Sequence, residues 1–139
     1  MKITKAWELV DLITLSYIKS TNSKMIIKIV DSYNSLQDFV DDGGLFKYFN
    51  NIEGLYYNPI DEAKNLANQQ LEICSNNQIN ILTIWDENYP VSLLNIDYPP
   101  PILFYKGILQ SAEQIVISIV GTRKNTVYGK LVTEEFASF

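Results

Sequence analysis

The residues of this chain best suited to chemistry lie in one short run, Val120-Gly121-Thr122-Arg123-Lys124-Asn125. An apolar stretch precedes it, and a helical pattern capped by Asn125 or Thr126 follows. Gly121 carries no Cβ, so the backbone there can approach a ligand closely. The first turn of a helix presents unpaired N–H groups, which together with the helix dipole favour an anion. Arg123 adds a planar fork that matches phosphate oxygens. Phosphate binding is the chemistry these residue types suit. A plainer reading of the same residues is a glycine turn followed by a surface arginine.

The rest of the composition narrows the choice. The sequence has no histidine and a single cysteine, Cys74. A histidine general base or metal site is therefore excluded, as is an internal disulfide. Cys74 falls on the apolar stripe of a helix and reads as core. Acidic pairs such as Asp41-Asp42 and Asp61-Glu62 fit a turn and a helix first turn, where the dipole favours them, better than acid/base catalysis. No metal site is expected from these residues, and no cofactor.

Net charge is -5 over 139 residues, which argues against a broadly basic surface. The distribution is uneven. Residues 1–100 carry 7 Lys and 13 Asp or Glu, whereas residues 101–139 carry 4 basic and 3 acidic residues. The only arginine, Arg123, lies in that second part, so an anion site should be local to it. No apolar run approaches the ~20 residues that span a bilayer. The opening MKITKAWELVDLI holds Glu8 and Asp11 within its apolar stretch and does not read as a secretory leader. A reduced, cytoplasmic setting is expected.

The elements that must position the Gly-Thr-Arg run follow from periodicity. Apolar residues at helical spacing predict a helix over Lys5–Ile18, a second from Lys24 to Tyr33, and a third from a serine cap at Ser35 to Val40. Asp42-Gly43-Gly44 is a stop, and Leu45–Phe49 supports a further turn or two. Asn58-Pro59 opens a long helix whose face reads Ile60, Ala63, Ala67, Leu71, Cys74. At Asn77 the period changes. Ile79–Trp85 and Ile102–Tyr105 read as strands, the second reached through the extended Pro99-Pro100-Pro101. Ile115–Val120 reads as a third strand buried on both faces, and Leu131, Val132, Phe136 and Phe139 belong to the last helix. The reading is α+β to α/β, with a helical domain over 1–76 and a second unit over 77–139.

Several motifs together resemble the DNA-processing protein A family (DprA, also called Smf). They are Tyr89-Pro90 with Leu93, Asp97-Tyr98-Pro99-Pro100-Pro101-Ile102-Leu103-Phe104-Tyr105-Lys106-Gly107, Val120-Gly121-Thr122-Arg123, and Tyr128-Gly129. Order and spacing match over roughly residues 79–139. The resemblance implies a small helical domain of the SAM or helix-hairpin-helix kind, followed by the first strands and helix of a Rossmann-like domain. It implies single-stranded DNA binding and delivery to a RecA-type recombinase in natural transformation, by a protein that is not an enzyme. Carried over, Gly121, Thr122 and Arg123 match the family's phosphate-contacting turn, with Lys124 and Asn125 beside it. Tyr89, Pro90, the Tyr-Pro-Pro-Pro segment and Lys106 are expected to be structural.

The chain departs from the family in two places. The Ser-Gly-x-Ala-x-Gly-Ile-Asp loop that follows in relatives is not in this sequence, so the chain reads as the front part of a longer protein, its terminal phenylalanines covered by a neighbouring chain. Where relatives carry a Pro-Gly-Ile-Gly hairpin, this chain reads Tyr17-Ile18-Lys19-Ser20-Thr21-Asn22. Without those glycines, close backbone approach to a phosphate is not expected there. Lys19, Lys24 and Lys28 near that turn read as a solvated face. Tyr33 and Tyr56-Tyr57 are candidates for base stacking. A second function class stays open, that of a protein-interaction module which does not bind DNA itself, and a homodimer is compatible with both.

Overall fold

Trp7 stands just before the first helix and determines how the chain enters it. The computed structural model describes residues 6–49, 59–109 and 118–138. Within them α1 spans Leu9–Tyr17, starting four residues later than the apolar pattern predicts. Glu8 is its N-cap, and the Asp11 carboxylate accepts the Glu8 N–H at 3.2 Å. That closes the helix start and leaves Trp7 outside it. Trp7 and Leu12 join one apolar cluster, at the spacing of a hydrophobic staple.

Helix α1 is buried over Leu12, Ile13, Thr14 and Leu15, and packs most extensively along α5, Pro59–Asn76. Small residues on α5 make this possible. Ala63 and Ala67 are both buried, as are Ile60 and Cys74 on the same stripe. Thr14 is fully enclosed, yet its hydroxyl donates to the Val10 carbonyl at 2.7 Å, so no polar atom is stranded there. Cys74 is 2% exposed and belongs to the interior, as its place on the stripe predicts.

The next three helices follow their caps. In α2, Ser23–Ser32, the Asn22 side chain accepts the Met25 N–H at 3.0 Å. In α3, Leu36–Asp41, Ser35 does the same for Asp38 at 3.0 Å. Gly43 then takes a left-handed φ of 70°, and α4 runs Gly44–Tyr48. Phe39, fully buried, meets the rings of Tyr33 and Tyr48 edge-on at 5.3 and 5.9 Å. Burying each such side chain contributes about 1.5–3 kcal/mol.

Strand β1, Asn80–Thr83, pairs antiparallel with β2, Ile102–Tyr105, in the register Asn80 to Tyr105 and Thr83 to Ile102. Just past β1, Trp85 is 6% exposed and joins the same cluster as Trp7 and Leu15. Ile84 and Ile102 pack against that cluster. The Asp86 carboxylate accepts from both the N–H and the hydroxyl of Thr83, at 2.6 and 2.8 Å, and closes the turn after the strand. Tyr89 is buried and its hydroxyl donates to the Pro100 carbonyl at 2.7 Å. The tyrosine of the Tyr-Pro pair thereby ties the proline run to the loop before it, which is the structural role expected of both.

The chain divides into two compact units, Met1–Leu109 and Gln110–Phe139. The change of period near residues 76–78 marks the passage from α5 to β1, and the core of the first unit continues beyond it through Trp85. A short helix the sequence pattern does not announce, α6 (Val91–Leu94), follows Pro90. The second unit holds α7, Val127–Ala137. Helices with a small sheet make the fold α+β.

Two expectations need correction. The third strand was expected over Ile115–Val120; residues 115–117 lie outside the described residues, and 118–120 form no strand. Val120 is 91% exposed, the reverse of a strand buried on both faces. No described strand offers these residues a ladder of hydrogen bonds, and a lone extended segment has nothing to hold it in register. Tyr33, a stacking candidate, is 9% exposed, with its hydroxyl on Asp42 and its ring on Phe39, so it serves the core. Tyr56-Tyr57 lie outside the described residues.

Candidate nucleic-acid interface

The Gly-Thr-Arg run leads directly into a helix N-terminus. Thr126 is the N-cap of α7, with extended backbone, and its hydroxyl accepts the Gly129 N–H at 3.1 Å. The backbone ladder starts with Lys130 N–H to Thr126 C=O at 3.0 Å. Among the described residues no acceptor engages the N–H groups of Val127 and Tyr128. These are two of the four orphan donors of a helix start, and they carry its positive partial charge.

The five expected site residues, Gly121, Thr122, Arg123, Lys124 and Asn125, form one exposed loop ahead of that helix. The Thr122 hydroxyl donates to the Lys124 carbonyl at 2.7 Å, which folds the loop back on itself around Arg123. The Thr122 side chain thus shapes the loop. Among the described residues neither Arg123 nor Lys124 pairs with a carboxylate; the ion pair in this unit is Lys130 with Glu134, one helical turn apart at 3.7 Å. Both cations remain available to a solvent anion.

The two glycines differ. A Cβ built on Gly121 would meet nothing within 4 Å. No neighbouring protein atom demands a glycine there, and the space around it is open. At Gly129 the added carbon would stand 3.3 Å from the Thr126 hydroxyl, the capping oxygen itself. The glycine of the Tyr128-Gly129 pair thus leaves room for the cap.

Residues 80–139 match the family of DNA recombination-mediator protein A. Over these residues the chain is similar to that family. The matched segment begins at β1 and contains Tyr89-Pro90, Asp97 to Gly107, the Gly121–Asn125 loop and α7. It agrees with the region over which the sequence motifs resemble the family. No curated protein and no solved structure matches the chain. That family is one of DNA recombination mediators. Among the described residues no helix is long and apolar enough to cross a membrane.

Proposed function

We propose that this chain supplies part of a single-stranded DNA-binding recombination mediator that acts in DNA uptake and natural transformation. In this reading it works in the cytoplasm with a RecA-type recombinase, as a homodimer, and performs no covalent chemistry. The helical unit is a degenerate SAM or helix-hairpin-helix-like domain, and residues 77–139 open a Rossmann-like one. The observation that carries the reading is the Gly121–Asn125 loop. It is exposed and open at Gly121, and it lies within the segment that matches a DNA recombination family; among the described residues its two cations pair with no carboxylate and the first N–H groups of α7 that follow have no acceptor.

Arg123 would hold a backbone phosphate by charge-assisted hydrogen bonds, with Lys124 and the loop amides beside it. Contacts of this kind read no base, so binding would be salt-sensitive and indifferent to sequence. The test is fluorescence anisotropy of a labelled oligothymidine against the wild-type chain and Arg123→Ala, at two salt concentrations. Weaker binding in the variant, with a shallower salt slope, supports the site. Binding indifferent to Arg123 refutes it.

A second reading is a protein-interaction module with no DNA binding of its own. What favours it is the apolar character of α7, where Val127, Tyr128, Leu131 and Phe136 are 80%, 77%, 59% and 63% exposed. Solvent contact with that much apolar side chain is unfavourable and marks interaction surfaces. The same titration separates the two readings, since only the first expects oligothymidine to bind.

A further inference from the structure

We propose that the first unit carries a second contact surface for single-stranded nucleic acid, formed by Tyr98 with Lys24 and Lys28 of α2. The inference rests on the DNA-binding reading above but concerns a different unit and different residues. The lysines near the first turn look scattered in the sequence, and the fold brings aromatic rings beneath two of them. The Lys24 ammonium lies 4.2 Å from the centroid of the Tyr98 ring, seventy-four positions along the chain. One helical turn on, Lys28 lies 5.6 Å from the centroid of Tyr48. Both lysines are exposed, and among the described residues neither pairs with a carboxylate.

Among the described exposed rings of the first unit, which include Tyr17, Phe46 and Phe104, Tyr98 has a lysine ammonium over its face and those three do not. Tyr33, Tyr89, Trp7 and Trp85 are buried, whereas Tyr98 is 61% exposed despite the ammonium above it. An exposed ring with one ammonium at its face, and a second lysine one helical turn along α2, combines the two elements by which single strands are bound without sequence preference: a π-face for a base and charge for the neighbouring phosphates. Lysines at positions i and i+4 lie on one helix face, so Lys24 and Lys28 track one side of a strand together.

Helix energetics give an independent argument. Lys24 is the second residue of α2, at the positive end of the helix dipole. A cation there opposes the dipole and costs helix stability. It is therefore not placed for the benefit of the α2 dipole, and when a neutral residue replaces it, relief of that opposition should offset the lost contact with the Tyr98 ring. An acidic protein partner would use the lysines and leave the Tyr98 ring unexplained.

The experiment is the oligothymidine titration on the full chain with Lys24→Gln/Lys28→Gln, Tyr98→Ala and Tyr98→Phe, run beside Arg123→Ala. Tyr98→Ala should weaken binding about 5- to 150-fold, the range for loss of one base stack, and Tyr98→Phe should restore it. The double lysine variant should bind less tightly, with the salt slope reduced by about 0.7 for each lysine and the melting temperature unchanged or raised. Photocrosslinking of a bromodeoxyuridine oligonucleotide, mapped by mass spectrometry, should modify the peptide that contains Tyr98.

Three results would overturn the surface: Tyr98 and lysine variants that bind like wild type while Arg123→Ala weakens binding, crosslinks confined to residues 118–138, or polyglutamate competing as well as oligothymidine. Loss in the lysine and tyrosine variants with Arg123→Ala unaffected would support this surface and refute the loop instead. A wild-type chain that binds no oligothymidine refutes both.

Discussion

The indole Nε1–H of Trp7 donates to the carbonyl oxygen of Tyr33 across 3.0 Å of buried space. The two residues are twenty-six positions apart, one ahead of α1 and the other at the C-cap of α2. The bond fixes the chain before α1 against the end of α2, and it satisfies both a buried donor and a helix-end acceptor.

Trp7→Phe keeps an aromatic ring in the cluster and removes that donor. The Tyr33 carbonyl is then left in an apolar setting without its partner, at a cost of about 1–3 kcal/mol. Urea denaturation followed by circular dichroism should show a lower midpoint with an unchanged slope. A midpoint equal to wild type would mean that water reaches the carbonyl.

Gly43 and Gly44 are adjacent and make opposite demands. At Gly43 a Cβ meets nothing within 4 Å, and the penalty for alanine is the left-handed φ of 70°, about 1–2 kcal/mol. At Gly44 a Cβ would run into the Cδ2 and Cε2 carbons of the Phe39 ring and lie 2.6 Å from the Phe39 carbonyl oxygen. Phe39 is fully buried, so its ring has no free volume to retreat into. Gly44→Ala should cost more than Gly43→Ala, and double substitution should not rescue it. Thermal unfolding of the two single variants decides the order.

Asp42 is held by Lys47 first and by the Tyr33 hydroxyl second, and both keep its carboxyl below the ordinary 3.8. The hydrogen bond to Asp42 in turn holds Lys47 above 10.5. Burial, then the bond to Asp42, raises Tyr33 above 10.0. For a carboxylate with a lowered folded value, the stabilisation is complete above pH 3.8 and is lost as pH falls through that lower value. The Lys47 part is complete below pH 10.5 and lost as pH rises through its raised value. Tyr33 likewise favours the folded state less as pH climbs past 10.0. Asp11 has the opposite sign to Asp42, because burial raises its carboxyl and folded stability falls as pH climbs past 3.8. Asp42→Asn should therefore remove the acid-side loss and weaken the alkaline one, while Asp11→Asn should flatten the fall above pH 3.8. The Asp42–Lys47 pair is half exposed, so both effects should shrink in salt. Stability measured from pH 2 to 11 at two ionic strengths checks the signs.

Thr126→Ala removes the cap of α7, and caps of this type are worth about 0.5–2 kcal/mol. The expected result is faster amide exchange at Tyr128, Gly129 and Lys130, with exchange in α1 unchanged. Protection lost equally throughout the chain would contradict the division into two units.

Much of the helical unit was legible in the sequence because its signals are local. Asn22, Ser35 and Thr126 cap the helices they precede by hydrogen bonds spanning three residues. The stripe Ile60, Ala63, Ala67, Cys74 records which side of α5 is covered. The exposed loop ahead of α7 was legible for the same reason, since Gly121 to Asn125 are contiguous and lie within the segment that matches the family.

What the sequence could not decide depends on residues far apart in the chain. Ile115–Val120 has the composition of a buried strand, but burial needs neighbours, and Val120 stands 91% exposed. Lys24 has nothing in its own helix to distinguish it from any solvated lysine until the fold places the Tyr98 ring 4.2 Å beneath it. Tyr33 looked free to stack until Trp7, Phe39 and Asp42 converged on its carbonyl, ring and hydroxyl. Caps, stripes and contiguous motifs are settled by bonds a few residues long, which the sequence by itself determines. Exposure and long-range ring contacts are set by packing between distant elements, and the tertiary structure alone decides them.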